Sequence, residues 1–377
     1  PPSRLALDPG DVVELALPAR SARYRLTAIA DTGAREAKAV MSEASLFGPV
    51  SAPSRAHLPA SAPSFGTPLA VFMDLPMLTG RETPGAPQVA VAADPWPGGV
   101  ALYRSIGPDA ASSFTLERVL TRPATIGRTA SALGPGVTSR WDWSAALRVT
   151  LASGTLQSAD ASAVLAGVNA AAIETPEGDF EVIQFREAEL VAPGTYELRG
   201  LLRGQAGSEA AMRAPLAEGA RFVALDGAVF ELAGAERGLA RVWAWGPATK
   251  PIDDASYARR TLAFAGVNLR PLSPVHLRGE RHADGSIGIS WIRRTRIGGD
   301  SWETMEVPLG EEEESYELAI LRDGETVRRI AAPAPCATYA TAAQTEDFGT
   351  ADFATLTVRV AQMSRAFGRG TAREALL

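Results

Sequence analysis

One cysteine, Cys336, stands among 377 residues, so the chain holds no internal disulfide framework. Three histidines (His57, His276, His282), with no CxxC or HExxH spacing, offer few soft ligands, and no metal site is expected. No run of about 18 consecutive apolar residues is present, which argues against insertion into a bilayer. Lysine is nearly missing: Lys38 and Lys250 are the only two, and arginine supplies the rest of the basic charge. The guanidinium fork pairs bidentately with carboxylates and suits hydrogen-bonded interfaces, although a GC-rich coding bias gives the same usage. A net charge of -6 supplies no general basic surface for phosphates, so direct nucleic-acid recognition is not expected. GxSxG, HExxH, P-loop and GxGxxG motifs are all missing, which leaves nucleophilic, metallohydrolase and nucleotide-dependent chemistry without a starting point and no cofactor expected.

What is present is an abundance of chain breakers. Thirty-five glycines and 27 prolines punctuate apolar runs that rarely exceed eight residues, the spacing of strands and turns. The fold class expected is all-β, with several small sandwich or barrel modules in series. Asp8-Pro9-Gly10-Asp11 reads as a turn before a strand at Val12–Leu15, and Tyr24–Ala28 alternates as a half-buried strand does. Residues 49–67 turn to Ser, Pro and Ala with few large apolar side chains and read as a linker. Residues 68–270 continue the β theme, as one module or as two with a break near 150 set by turn density. Within them Glu189-Leu190-Val191, Pro193-Gly194 and Tyr196–Arg199 mark a hairpin whose Tyr and Leu face one way. Short helices are expected at Ala159–Val168 or Ser208–Leu216. Residues 271–377 show the clearest alternation: Ile287, Ile289 and Trp291; then Tyr316, Leu318 and Ile320 before an Asp323-Gly324 turn; then Leu356, Val358 and Val360. About seven short strands with an early core tryptophan outline a fibronectin type III-like sandwich.

Four stretches go beyond fold class: Phe180 to Gly207 (FEVIQFREAELVAPGTYELRGLLRGQAG), Ala93 to Ser105 (ADPWPGGVALYRS), Leu269 to Leu277 (LRPLSPVHL) and Ser290 to Leu309 (SWIRRTRIGGDSWETMEVPL). In these the chain resembles the C-terminal part of gene transfer agent host-specificity (megatron) proteins and related phage tail-tip baseplate proteins, from about residue 68 to the end. The resemblance implies that residues 1–48, beginning RLALDPGDVVEL from Arg4, are the closing strands of a hub-like β domain. It implies a homo-oligomer, three copies about a tail axis, with hub and distal tail proteins, and host surface polysaccharide or a tail fibre, as partners. The expected place is the tail tip of a virion-like particle, made in the bacterial cytoplasm and released. The family's upstream TIM-barrel-like domain is outside this chain, and with it any hydrolytic expectation. One departure is that Leu356 or Val358 stands where a fibronectin type III domain usually has tyrosine on its penultimate strand. With Pro1 first and no hydrophobic signal segment after it, the chain reads as a piece of something longer or a processed product.

Several residues invite chemistry. Some pair among the 43 acidic residues will lie at a glycosidase's carboxylate separation by accident, so catalysis is not expected. The acidic run Glu311–Glu314 lacks EF-hand spacing and reads as a solvated loop rather than a calcium site. Arg293, Arg294 and Arg296 form a basic cluster suited to an anionic glycan or a neighbour's carboxylates, but local pairing with Asp300 or the acidic run is the simpler expectation. Among the tryptophans, Trp291 reads as core. Trp302 stands beside the arginine cluster as a candidate surface residue. The pairs Trp141-Asp142-Trp143 and Trp243-Ala244-Trp245 each place two rings on one side of a strand, as a core layer or as a binding strip, and core or interface is the favoured expectation. A structural role is expected, with a polysaccharide-binding module as the alternative and a cell-wall glycan hydrolase behind both.

Overall fold

A computed structural model describes residues 6–18, 20–43, 65–108, 113–213, 215–299 and 307–377. The chain divides into two compact units, Pro1–Pro63 and Ser64–Leu377. Most of the expected linker, along with Trp302 and Asp300, lies outside the described residues.

The first unit is an antiparallel meander of β1 (Val12–Leu17), β2 (Arg20–Asp31) and β3 (Arg35–Met41). Its register sets Val13 against Tyr24, Leu15 against Ala22, Tyr24 against Met41 and Leu26 against Ala39. Because facing residues share a side of the sheet, these apolar residues line one face, and Glu14, Arg23 and Arg25 take the other. Only Leu26 is buried among the unit's described residues.

The second unit begins as a sandwich. β4 (Leu69–Met73), β5 (Gln88–Ala92), β6 (Val100–Ser105) and β7 (Phe114–Leu120) are laid down first. The chain then leaves to close a six-stranded barrel. This consists of β8 (Ile126–Thr129), β9 (Leu147–Ser153), β10 (Ala170–Glu174), β11 (Phe180–Ala192), β12 (Thr195–Leu202) and β13 (Arg221–Ala224), joined in the order β10-β11-β12-β9-β8-β13. It returns as β14 (Phe230–Glu231), β15 (Arg241–Pro247) and β16 (Ala258–Leu262) to complete the sandwich, in sheets β14-β5-β4 and β16-β15-β6-β7. The break expected near residue 150 therefore falls inside β9. The two modules are nested rather than consecutive, because the barrel is inserted between the fourth and fifth strands of the sandwich.

The last sandwich repeats that strand order without an insertion. β17 (Val275–Arg281), β18 (Ile287–Ile292) and β21 (Cys336–Tyr339) form one sheet. β20 (Glu325–Ala332), β19 (Tyr316–Arg322), β22 (Thr357–Ser364) and β24 (Arg373–Leu376) form the other, with the two-residue β23 (Gly368–Arg369) beside β22. In both sandwiches the first, second and fifth strands face the fourth, third, sixth and seventh, the arrangement of a fibronectin type III domain. Helices are minor: α1 (Ala161–Leu165) and α2 (Thr341–Phe348) fall short of the length at which a helix stands alone. The second helical expectation resolves to a 3-10 segment, Gln205–Arg213. Among the described residues, no helix is long and apolar enough to cross a membrane.

Strand composition follows from the layers. On β5, Val89 and Val91 enter the first sandwich's core with Trp243, Trp245 and Phe264, while Ala90 and Ala92 face the barrel wall of Ile126, Ala172, Phe180 and Val223. A strand buried on both sides reads as continuous apolar sequence, and alanine lets the barrel wall approach closely. On β18 only Ile287, Ile289 and Trp291 are buried; Ser290 faces outward.

The barrel interior holds Leu147, Val149, Ile173, Ile183, Phe185, Leu198, Leu201 and Phe222. One interior position is ionic. Glu181 shares the inward row of β11 with Ile183 and Phe185 and meets Arg203 bidentately, Nε to Oε1 at 2.6 Å and Nη2 to Oε2 at 2.8 Å, with both side chains at most 1% exposed. The Gly134 carbonyl accepts from Arg203 Nη1 and the Gly204 N–H donates to Glu181, so the pair's hydrogen-bonding capacity is largely used.

Candidate functional site

Trp141, Asp142 and Trp143 lie on the barrel, where the inward position belongs to the aspartate. The Asp142 N–H donates to the Leu201 carbonyl at 2.8 Å and receives the Leu201 N–H on its own carbonyl at 3.0 Å, a two-bond bridge onto β12. The buried Asp142 carboxylate accepts from the Ser144 hydroxyl at 2.7 Å and from the Ser144 and Ala145 N–H groups. These bonds, the hydroxyl's first, hold its pKa below the ordinary carboxylate range. Alternation then turns both tryptophans outward.

Of the favoured expectation for this pair, core or interface, the core half does not hold. Trp143 is 50% exposed and Trp141 is partly so, because the aspartate's bridge takes the inner position. The two rings lie 6.3 Å apart between centroids and 33° from parallel. Gly200 on β12 makes room for them: its φ is +61°, and a Cβ there would come within 2.8 Å of the Trp143 ring. The left-handed turn also breaks the alternation of β12, so Leu198 and Leu201 both enter the barrel core. The Arg186 guanidinium sits 5.7 Å from the Trp143 ring centre, at cation–π distance. By contrast Trp243, Trp245 and Trp291 are buried in the sandwich cores.

The arginine cluster is drawn inward too. Arg293 donates to the Pro308 and Val307 carbonyls and lies 3.7 Å from Glu314. Arg294 donates to the Ser273 carbonyl and pairs with Glu209 beyond β12. Arg296 pairs with Glu311 at 3.0 Å and donates to the Gly310 and Asn268 carbonyls. Arg294 and Arg296 form a clasp between the last sandwich and the nested pair, while Arg293 is tied within the last sandwich's own loops, so the three are not a free basic surface. The acidic run is their counterpart: Glu311 and Glu314 pair with this cluster and Glu313 with Arg365. A second tie lies nearby, where Asn268 bonds the Gly85 N–H at 2.7 Å and the Thr83 carbonyl at 2.9 Å.

A cleft of about 640 Å³ opens beside the clasp, lined in part by Glu209, Arg359, Arg369, Arg373 and Glu374. Its two carboxylates are held in ion pairs, Glu209 with Arg294 and Glu374 with Arg359. Among the described residues no group of three or more His, Cys, Asp or Glu side chains is placed to hold a metal ion.

Sequence reasoning missed Arg186 and Gly200 as parts of the aromatic site. A glycine inside an otherwise strand-like YELRGLL run is a signal for a bulge or a close approach; Arg186 carries no comparable signal.

The fold thus defines a multidomain all-β chain with two fibronectin type III-like sandwiches and a nested barrel. The family described as Rcc01698-like, C-terminal, matches residues 124–223, which begin two residues before β8 and end one residue short of the end of β13. The match covers the barrel alone. No curated protein matches the chain. Among solved structures, domains d3–d4 of the rat CD45 extracellular region align with 32% of this chain and 54% of theirs, at 11% identity and a TM-score of 0.20. The FN1–FN3 domains of chicken CNTN1 align with 83% of this chain and 99% of theirs, at 10% identity and a TM-score of 0.20. The chain thus spans about half the length of the CD45 structure. Alignments this loose carry no argument, and the fibronectin-like order stands on strand pairing.

Proposed function

We propose that this chain is a structural segment of a phage-like tail tip of the gene transfer agent type, joining tail assembly to contact with the host surface. The observation that carries this reading is the family match over residues 124–223, which spans the whole of the FEVIQFREAELVAPGTYELRGLLRGQAG stretch behind the tail-tip resemblance. The clasp of Arg294 and Arg296 and the Asn268 ties suit a part that transmits contact, since they brace the last sandwich against the nested pair. In this reading the chain is a homo-oligomer, a trimer about the tail axis, with hub and distal tail proteins as neighbours, and it performs no catalysis.

Gold-conjugated antibody raised against this segment, applied to purified particles and viewed by electron microscopy, tests the assignment. Label confined to one end of the tail is the expected result. Label on no particle, with the protein recovered free, would overturn it.

A further inference from the structure

We propose that Trp141 and Trp143 form a stacking platform for the hexopyranose rings of a polysaccharide, with Arg186 donating hydrogen bonds to its hydroxyls. The inference rests on the tail-tip reading only for where the sugar comes from, because binding is measured on the isolated chain.

Three observations carry it. First, the rings are presented without being disordered by exposure. The Asp142–Leu201 bridge, the Asp142 carboxylate bonds and the Gly200 backbone against the Trp143 ring edge fix the strip before any ligand arrives. A platform ordered in advance loses little side-chain freedom on binding. Second, the two indoles stand 6.3 Å apart between centroids and 33° from parallel, Trp143 half exposed and Trp141 partly so, and offer flat apolar surface to ring-shaped units. The C–H face of a pyranose is such a unit, apolar across the ring and polar around its rim.

Third, a guanidinium with spare donors meets the rings. Arg186 lies 5.7 Å from the Trp143 ring centre and makes no side-chain hydrogen bond among the described residues. It therefore keeps N–H donors for hydroxyl oxygens. The size of the patch decides between a sugar and a protein. Two tryptophans cover roughly 150–250 Å² each, well under the ~800 Å² per partner that a stable protein interface buries. A nucleobase also has a flat face, but the chain's net charge of -6 opposes a phosphate backbone.

The test is a microarray of cellohexaose, chitohexaose, maltohexaose, a mannan and a bacterial lipopolysaccharide, with single-stranded oligothymidylate beside them, probed with the purified, fluorophore-labelled chain. The expected result is binding to at least one carbohydrate. In titration calorimetry with that carbohydrate, Trp143→Ala should weaken affinity by about tenfold or more, the loss of a single stacking contact, while Trp143→Tyr keeps it within about threefold. Circular dichroism of each variant separates loss of binding from loss of fold. No carbohydrate signal above that of Trp143→Ala, a stronger signal from oligothymidylate, or a change in sedimentation for Trp143→Ala that betrays a protein contact would each overturn the proposal. Failure of the gold label with sugar binding intact would remove the tail-tip reading and leave the platform standing.

Discussion

The two sandwiches share one strand order but differ in how many of their faces are buried. In the first, the three-stranded sheet is a middle layer: Val89 and Val91 face the sandwich core, and Ala90 and Ala92 face the barrel. In the last, the equivalent strand β18 buries Ile287, Ile289 and Trp291 and leaves Ser290 outward. The same topology therefore produces a period-two sequence where one face is wet and an unbroken apolar run where both are covered. The barrel interrupts its host in sequence but shares a core with it.

That shared core has a mechanical consequence, and the buried ion pair of the barrel tests it. Arg203→Met would leave the Glu181 carboxylate buried without its partner, a change that typically costs about 3–5 kcal/mol. If barrel and first sandwich act as one cooperative unit, hydrogen exchange in β4 and β5 should accelerate along with the barrel strands while β18 and β19 keep their protection. Loss of protection confined to the barrel would show that the common core does not couple the two. The double variant Arg203→Met, Glu181→Leu should recover most of the loss, which separates the stranded charge from damage to packing.

A charge placed on the outer face of the second strand compares the sandwiches directly. Ala90→Asp would bury a carboxylate between sheet and barrel wall, and destabilisation of about 3 kcal/mol or more follows from the lack of a partner there. Ser290→Asp, at an exposed outward position of β18, should stay within about 0.5 kcal/mol. Denaturation followed by tryptophan fluorescence reads both, since Trp243 and Trp291 lie in the respective cores. Equal shifts for the two variants would mean that Ala90 is not in a middle layer.

The same contrast explains what the sequence could and could not disclose. The β18 strand was legible residue by residue because the alternation Ile287-Gly288-Ile289-Ser290-Trp291 records a single buried face; the inward rows of β19 and β22 were legible too, but not that Ala319, Leu321 and Ala361 on their other faces are buried as well. The hairpin at Pro193-Gly194 was legible because its turn chemistry is local, and Gly194 does adopt a positive φ of 67°. The nesting was not legible: strands β4 and β5 find β14 only after the chain has closed a whole barrel, and the Val-Ala-Val-Ala run does not say what covers its second face. The arginine cluster was legible as paired, since its acidic partners Glu311 and Glu314 lie close by, but Glu209 stands 85 positions from Arg294 and left no local trace. For the aromatic site, the spacing of Trp141 and Trp143 gave the shared side; which side faced water depended on Asp142 and its bridge to Leu201.

The smallest expected effect concerns acid, and here the sandwiches should differ in sign. In the first, Asp74 follows β4 and accepts the N–H groups of Ala265, Gly266 and Val267 at 2.6, 2.9 and 2.7 Å; burial outweighs these bonds and raises its pKa above the ordinary value. In the last, Arg328 donates to Asp347 at 2.6 and 2.9 Å and Tyr339 at 2.7 Å, and the Arg328 bonds hold that carboxyl below its ordinary value. A carboxyl with a lowered folded pKa contributes stability present above its unfolded value and lost as pH falls through the folded one. One with a raised folded pKa does the reverse: the folded chain binds the proton more readily, so between the unfolded and folded values stability falls as pH rises. Asp347→Asn should therefore flatten the loss of stability on acidification, and Asp74→Asn should steepen it, in denaturation midpoints measured from neutral pH down through the carboxylate range. Matching slopes in the two variants would mean that the carboxylates do not sit in opposed environments, and the contrast between middle-layer and open sandwich would then rest on packing alone.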